Sequence, residues 1–332
     1  MRSRVISSHL FPILLLSLLA LLTACGQGQS TTGSTSTPVP TATPVPALDA
    51  YGTPIAFPTK APQRIISLVP SISEILGALN LQQRVVAVDS FTDYPAALAA
   101  LPKISSNGKY SIEQIIGLKP DLVLSYGGDT RQYDTQLKSQ GLNVVDLPSA
   151  NLTQILQEIR LVGRLTFTQD AANGLASQLQ QQIDQVKTAV AGTTAPKTMI
   201  EADDSTQNKP YVFGGGSFGD ELLRDAQAQN VFASNTGGGG FPQVSLEAVI
   251  SANPQYIILT EDPAYGGNVA AVYKRANWGN IAALKQNHVY RINSSLLGRP
   301  GPRLVEGLRC IAQIIHPDKF SGALPAYCTA SV

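Results

Sequence analysis

Ser111-Ile112-Glu113-Gln114-Ile115-Ile116-Gly117-Leu118-Lys119-Pro120-Asp121-Leu122-Val123-Leu124 reads as one structural unit. Ser before an acidic residue opens a helix, Lys119-Pro120 stops it, and the apolar run that follows is a buried strand. Further on, Ser245-Leu246-Glu247-Ala248-Val249-Ile250-Ser251-Ala252-Asn253-Pro254-Gln255-Tyr256-Ile257-Ile258 aligns on it without a gap, with the same signals in the same order. Helix-to-strand joints look alike in many proteins, so one match would be coincidence. Two units that match in order argue for a duplicated lobe.

Working outward from the first unit, Arg64–Val69 is a short β-branched run. Ser71 then opens an apolar-periodic helix through Ile75, Leu76 and Leu79. Arg84–Val88, Asp121–Ser125 and Asn143–Asp146 read as strands, and Gln132–Gln140 as a helix. Around the second unit, Lys197–Glu201, Tyr211–Phe213, Tyr256–Thr260 and Val289–Ile292 read as strands, and Arg303–Ile315 as a closing helix. Short apolar strands alternating with helices predict an α/β chain whose parallel sheets are covered on both faces. Between the two sets lie two helical segments with no strand between them. The second, Thr168–Val190, would span ~35 Å at 1.5 Å per residue, a stiff strut. The expected organisation is therefore two Rossmann-like lobes, residues 62–150 and 192–328, joined by a backbone helix over 151–191. Ligands of open α/β sheets bind beyond the carboxyl ends of the strands, so two such ends facing each other make one enclosed site.

The N-terminus carries Arg2 and Arg4, an apolar run from Leu10 to Leu22, and then Leu22-Thr23-Ala24-Cys25. This is the pattern of a bacterial lipoprotein signal over residues 1–24, with Cys25 as the lipidated new N-terminus. The apolar run is short for a membrane span, which takes about 20 apolar residues. Residues 25–61 are rich in Ser, Thr and Pro, with the repeat Thr-Pro-Val-Pro-Thr-Ala-Thr-Pro-Val-Pro, and read as a disordered tether. The expected location is the outer face of the cell membrane.

A formal charge of +1, from 24 basic and 23 acidic residues, gives no electrostatic footprint for nucleic acid. The three His (His9, His288 and His316) are too few and too scattered for a transition-metal site, and His316 reads as a helix-end residue. Cys310 and Cys328 would meet an oxidising compartment. A bridge between them would contribute on the order of 3 kcal/mol; two free thiols are the alternative. Gly214-Gly215-Gly216-Ser217-Phe218-Gly219 fits a dinucleotide fingerprint after a strand and before a helix, but no acidic residue closes a following strand at the required distance. No Gly-x-Ser-x-Gly elbow with a His partner argues for a hydrolase.

Several further stretches carry a family likeness: Leu68-Val69-Pro70-Ser71-Ile72-Ser73-Glu74-Ile75-Leu76, Asp93-Tyr94-Pro95, Leu118-Lys119-Pro120-Asp121-Leu122-Val123, Pro242-Gln243-Val244-Ser245 and Arg299-Pro300-Gly301-Pro302-Arg303-Leu304. In this order they resemble the substrate-binding proteins of ABC importers for iron chelates and vitamin B12, closest to the cobalamin binders. The likeness runs from about Arg64 to Pro317. It implies the class III periplasmic-binding-protein fold, which moves little on binding, and no covalent chemistry or cofactor. The cargo it implies is cobalamin or another large chelate. The implied partners are an ABC permease dimer with its ATPase, and the membrane through the lipid.

Carried over residue by residue, the resemblance places Asp93, Tyr94, Tyr126, Phe241, Arg299 and Pro300 at the ligand. Tyr supplies aromatic area with a polar tip for a flat macrocycle, and Arg299 can reach a propionamide, carboxylate or phosphate. The bland alternatives are a half-buried loop Tyr, a Phe241 packed under Gly237–Gly240, and an Arg299 that holds its own loop. Glu74 and Glu221 are implied to pair with permease arginines, which requires exposed carboxylates. Ser71-x-x-Glu74 is also a capping box. The single Trp, Trp278, and the four-glycine run depart from the cobalamin pattern, which leaves haem, another corrinoid or an iron siderophore open as cargo. A surface lipoprotein for adhesion or sensing is a reading from another class.

Overall fold

The computed structural model describes residues 47–106, 108–128, 130–148, 151–204, 209–261 and 267–329. The proposed signal, Cys25 and most of the tether lie outside the described residues.

Lobe 1 is a four-stranded parallel sheet of β1 (Ile65–Ser67), β2 (Val85–Val88), β3 (Leu122–Tyr126) and β4 (Val144–Leu147), in the order β2-β1-β3-β4. Lobe 2 repeats that order. Strand β5 (Lys197–Asp203) is flanked by β7 (Gln229–Asn230) on one side and by β8 (Tyr256–Leu259) and then β9 (Val289–Arg291) on the other, all parallel. One short strand breaks the pattern. Tyr211-Val212, β6, pairs antiparallel with the end of β5, where a further parallel strand had been expected. The link back from β5 is too short for a crossover, which takes a dozen or more residues, so the chain can return only as a hairpin. Strand β7 is polar (Gln229-Asn230) and gives no sequence signal.

The main helices are α1 (Pro70–Ala78), α2 (Ile112–Gly117), α3 (Arg131–Ser139), α4 (Leu152–Thr166), α5 (Gln169–Val190), α6 (Phe218–Asp225), α7 (Leu246–Ala252) and α8 (Leu304–Ile315). The strut is α5, 22 residues long and packed along α4 and α8. Side chains alternate across each sheet because successive residues of a strand face opposite ways. Ile65, Leu122, Leu124, Ile200 and Ile258 join α4, α5 and α8 in one continuous core spanning both lobes. Ile66 and Val123 face an outer core in lobe 1, and Met199 and Ile257 face another in lobe 2. The two lobes therefore share one central core. Among the described residues, no helix is long and apolar enough to cross a membrane.

The repeated unit holds in detail. Ser111 Oγ accepts from Gln114 N at 3.3 Å, and Ser245 Oγ accepts from Ala248 N at 3.2 Å, each capping its helix. Lys119 and Asn253, each just before a proline, have φ of +48° and +47°. The residue after that proline then grips the first strand of its lobe. Asp121 accepts from Gln63 N (2.7 Å) and Arg64 N (2.9 Å), and Gln255 Oε1 accepts from Lys197 N (3.0 Å).

Order begins before Arg64. Ala47–Phe57, assigned to the tether on composition, packs on lobe 1. Ala50 N donates to Asp146 O on β4 at 2.9 Å, and Asp49 pairs with Lys138 at 3.1 Å. This strap covers the exposed edge of the sheet, which would otherwise offer unpaired backbone groups. Cys310 and Cys328 are bonded, their Cα atoms 5.7 Å apart, tying the C-terminal turn to α8. His316 caps the end of α8, with Nε2 3.1 Å from Ala226 O.

Candidate functional site

A cleft of about 610 Å³ opens between the lobes, and its wall is built from strand ends. Val69, Pro70 and Ser71 follow β1, Phe91 lies just past β2, Tyr126 ends β3, and Ala202 and Thr260 lie at the ends of β5 and β8. Ser294 and Ser295 follow β9. Phe213 follows β6, Phe218 opens α6, and Phe241 completes the aromatic wall. Phe213 and Phe241 pack edge to face at 4.9 Å, and Phe218 meets both. Another cavity of similar volume lies between the strut and α8, lined by Gln182, Val186, Glu306, Arg309 and Tyr327 among others. It lies beyond no strand ends, so the interlobe cleft is the candidate site.

Of the residues assigned to the ligand, Tyr126, Phe241, Arg299 and Pro300 line this cleft. Asp93 and Tyr94 do not. Asp93 stands at the rim and receives both terminal nitrogens of Arg299, one of them at 2.7 Å. Burial alone would raise the Asp93 pKa, but the Arg299 guanidinium, and Arg303 beyond it, hold it below the usual carboxylate range. Tyr94 is half-exposed and lies under the Arg303 guanidinium, 4.2 Å from its ring centre. Arg299 and Arg303 come from lobe 2 and Asp93, Tyr94 and Glu74 from lobe 1, so this cluster straps the lobes together.

The capping box at Ser71 and Glu74 does not form. Val69 is the N-cap of α1, Pro70 its first residue, and no side chain caps that end. Glu74 faces inward and is 3% exposed, with Oε1 2.6 Å from Arg303 Nη2 and 3.6 Å from Arg299 Nη1. Burial pushes its pKa up against the pull of both guanidinium groups. The exposed carboxylate expected there is absent because two cross-lobe arginines already cover it. Glu221 is half-buried on α6, and its Oε2 accepts from Leu152 N at 2.8 Å at the start of α4. Trp278 is fully buried in the outer core of lobe 2, stacked by Arg275 at 4.7 Å, and so stands away from the cleft.

Sequence reading missed Phe91, Phe213 and Phe218. The signal for two of them was the glycine run. A Cβ on Gly214 would strike the Asn235 carbonyl and Pro242, one on Gly215 the Ala233 carbonyl, and one on Gly219 the Phe213 ring. These glycines let the Asn235–Pro242 loop and Phe213 close on the cleft, so they serve backbone packing rather than a phosphate. Gly238, Gly239 and Gly240 have φ of +59°, +67° and +92°, and Gly240 O accepts from Gly214 N at 2.8 Å, which seats Phe241 against Phe213.

Comparison with known proteins agrees with this architecture. Residues 65–296 match the family model described as periplasmic binding protein, and the chain belongs to that family. The match covers the sheets of both lobes and the cleft wall as far as Ser295, and ends before Gly298, Arg299 and Pro300. An uncharacterized ABC transporter substrate-binding lipoprotein of Bacillus subtilis (strain 168), YvrC, is 30% identical over 79% of this chain and 82% of its own length. A vitamin B12-binding protein of Vibrio cholerae is 26% identical over 74% of this chain and 86% of its own. Among solved structures, the apo form of the periplasmic heme-binding protein RhuT from Roseiflexus sp. RS-1 superposes with a TM-score of 0.69 at 25% identity. That match covers 78% of this chain and 99% of RhuT.

Proposed function

We propose that this protein is the extracytoplasmic substrate-binding component of an ABC importer for a large metal chelate, and that its cargo is cobalamin or a related corrinoid. The observation that carries the reading is the cleft wall: Phe91, Tyr126, Phe213, Phe218 and Phe241 converge at the strand ends of two lobes. Aromatic faces suit a flat macrocycle, and hydroxyls from Ser71, Thr260, Ser294 and Ser295 suit its amide rim. The relatives named for ABC transport and for vitamin B12 point the same way. Haem is the second reading, favoured by the likeness to RhuT. Among the described residues no His, Met or Cys lines the cleft, so a haem iron would have to draw its axial ligand from Tyr126, whereas a corrinoid brings its own axial ligands.

In this reading Cys25 carries the lipid, and Glu221 is the carboxylate offered to the permease. Glu74 can serve only if Arg303 releases it. The direct test is calorimetric titration with cyanocobalamin and, separately, with iron protoporphyrin IX; quenching of Trp278 is a poor reporter because it is remote from the cleft. Saturable one-to-one binding of cyanocobalamin at micromolar affinity or tighter is expected. Binding of the porphyrin alone would move the assignment to haem.

A further inference from the structure

We infer that Asp93 is a selectivity residue: an internal anion that occupies Arg299 and has to yield it to any ligand bearing a carboxylate or phosphate. The inference rests on the chelate-binding reading of the cleft and adds to it the charge of the cargo.

Among the described residues, Arg299 is the one charged side chain lining the cleft. Both of its terminal nitrogens donate to Asp93, Nη1 to Oδ1 and Nη2 to Oδ2. Nη2 also lies 3.3 Å from Phe91 O, and Nη1 lies 3.6 Å from Glu74 Oε1. A planar guanidinium presents a single fork of this kind, and a ligand carboxylate or phosphate would need the same fork. Within the cluster, Arg299 and Arg303 are ion-paired with Asp93 and Glu74, and Glu306 and Asp89 add further negative charge beside the two arginines. A neutral rim of amides therefore meets no uncompensated positive charge at the cleft. An anionic rim finds its counter-charge already taken.

The exchange is sterically open on one side only. The Asp93 side chain is 38% exposed, against 18% for Arg299 and 2% for Glu74. Asp93 can thus turn into water while Arg299 stays, held by Phe91 O and Glu74. What an anionic ligand gains on Arg299 it must first take from Asp93. The affinity of charged cargo is reduced by that competition, and the affinity of uncharged cargo is not.

The test compares two probes that share one ring system and one iron: iron protoporphyrin IX, with two propionates, and its dimethyl ester, whose rim carries no charge. Binding of each to the wild type, Asp93→Asn and Asp93→Ala is followed by the absorbance of the porphyrin. Both variants should raise the ratio of diacid to diester affinity about tenfold, and Arg299→Gln should return the ratio to the wild-type value or below. Thermal midpoints identify any variant that has lost its fold, and two different replacements at Asp93 keep the outcome independent of either. A ratio unchanged in both Asp93 variants overturns the role given to Asp93 and leaves the chelate reading standing. Failure of both probes to bind any form of the protein overturns the inference and excludes porphyrins as cargo, while the separate titration with cyanocobalamin decides the corrinoid reading of the cleft.

Discussion

Behind the cleft, each lobe buries a carboxylic acid against a second carboxylate and answers with one cation. In lobe 1, Asp134 faces Asp146, and Lys138 pairs with Asp146 at 2.7 Å while its side chain stays 34% exposed. In lobe 2, Glu261 faces Glu201, and Arg275 grips Glu201 through two bonds of 2.6 Å while its side chain is 13% exposed. Burial first, and then the neighbouring carboxylate, pushes the pKa of Asp134 and of Glu261 up to about 8. The two lobes thus share the device but not its residues. A flexible ammonium suffices where water still reaches the pair, and a forked guanidinium stands where it does not.

The largest difference between the lobes should appear on removing the cation. Arg275→Met leaves Glu201 and Asp204 without their counter-ion in a buried site and should cost about 3–5 kcal/mol. Lys138→Met acts on a partly solvated pair and should cost nearer 1 kcal/mol. Urea unfolding of the two variants measures this directly. Equal losses would mean that the two clusters are equally wet and would break the comparison.

The protonated acids set the next effect. In the unfolded chain Asp134 and Glu261 release their protons near pH 4, whereas in the fold they keep them to about 8. The unfolded state then binds fewer protons than the native state across that window. This part of the stability is complete below pH 4, is lost as pH rises toward 8, and changes no further above it. Asp134→Asn and Glu261→Gln should each remove about half of that slope, and the double variant all of their joint share. Thermal midpoints from pH 4 to 9 would show it. A slope untouched by Glu261→Gln would mean that Glu261 is ionised in the fold.

The smallest effect sharpens the likeness rather than the difference. Ser111→Ala and Ser245→Ala remove equivalent helix caps and should cost about 1 kcal/mol each. A clear inequality would show that one cap is held by its lobe more than by its own helix.

Much of the fold was legible because its signals are local. A Ser cap, a proline stop and a short apolar run lie within fourteen residues, and their repetition pointed to two lobes before any contact was known. The strut was readable for the same reason, as an uninterrupted helical pattern with no strand beside it. The site was legible in part. Tyr126, Phe241, Arg299 and Pro300, carried over from the family resemblance, fall on the cleft wall. Phe91, Phe213 and Phe218 could not be assigned, because a lone Phe after a strand carries no periodic signal.

By itself, then, the sequence determined the α/β class, the repeated helix-to-strand unit and the family likeness, since each rests on the order of residues along the chain. Only tertiary structure decided what the charges do. Arg299 and Arg303 lie more than two hundred residues from Asp93 and Glu74, and no local pattern pairs them. Once the lobes meet, Glu74 is covered, Tyr94 is turned to the rim and Asp93 is set on Arg299. The strap over β4 has the same origin: Ala47–Phe57 gains its order from the sheet edge it covers, not from its own composition. Coulomb energy depends on distance in space, and it acts on whichever groups the fold brings together.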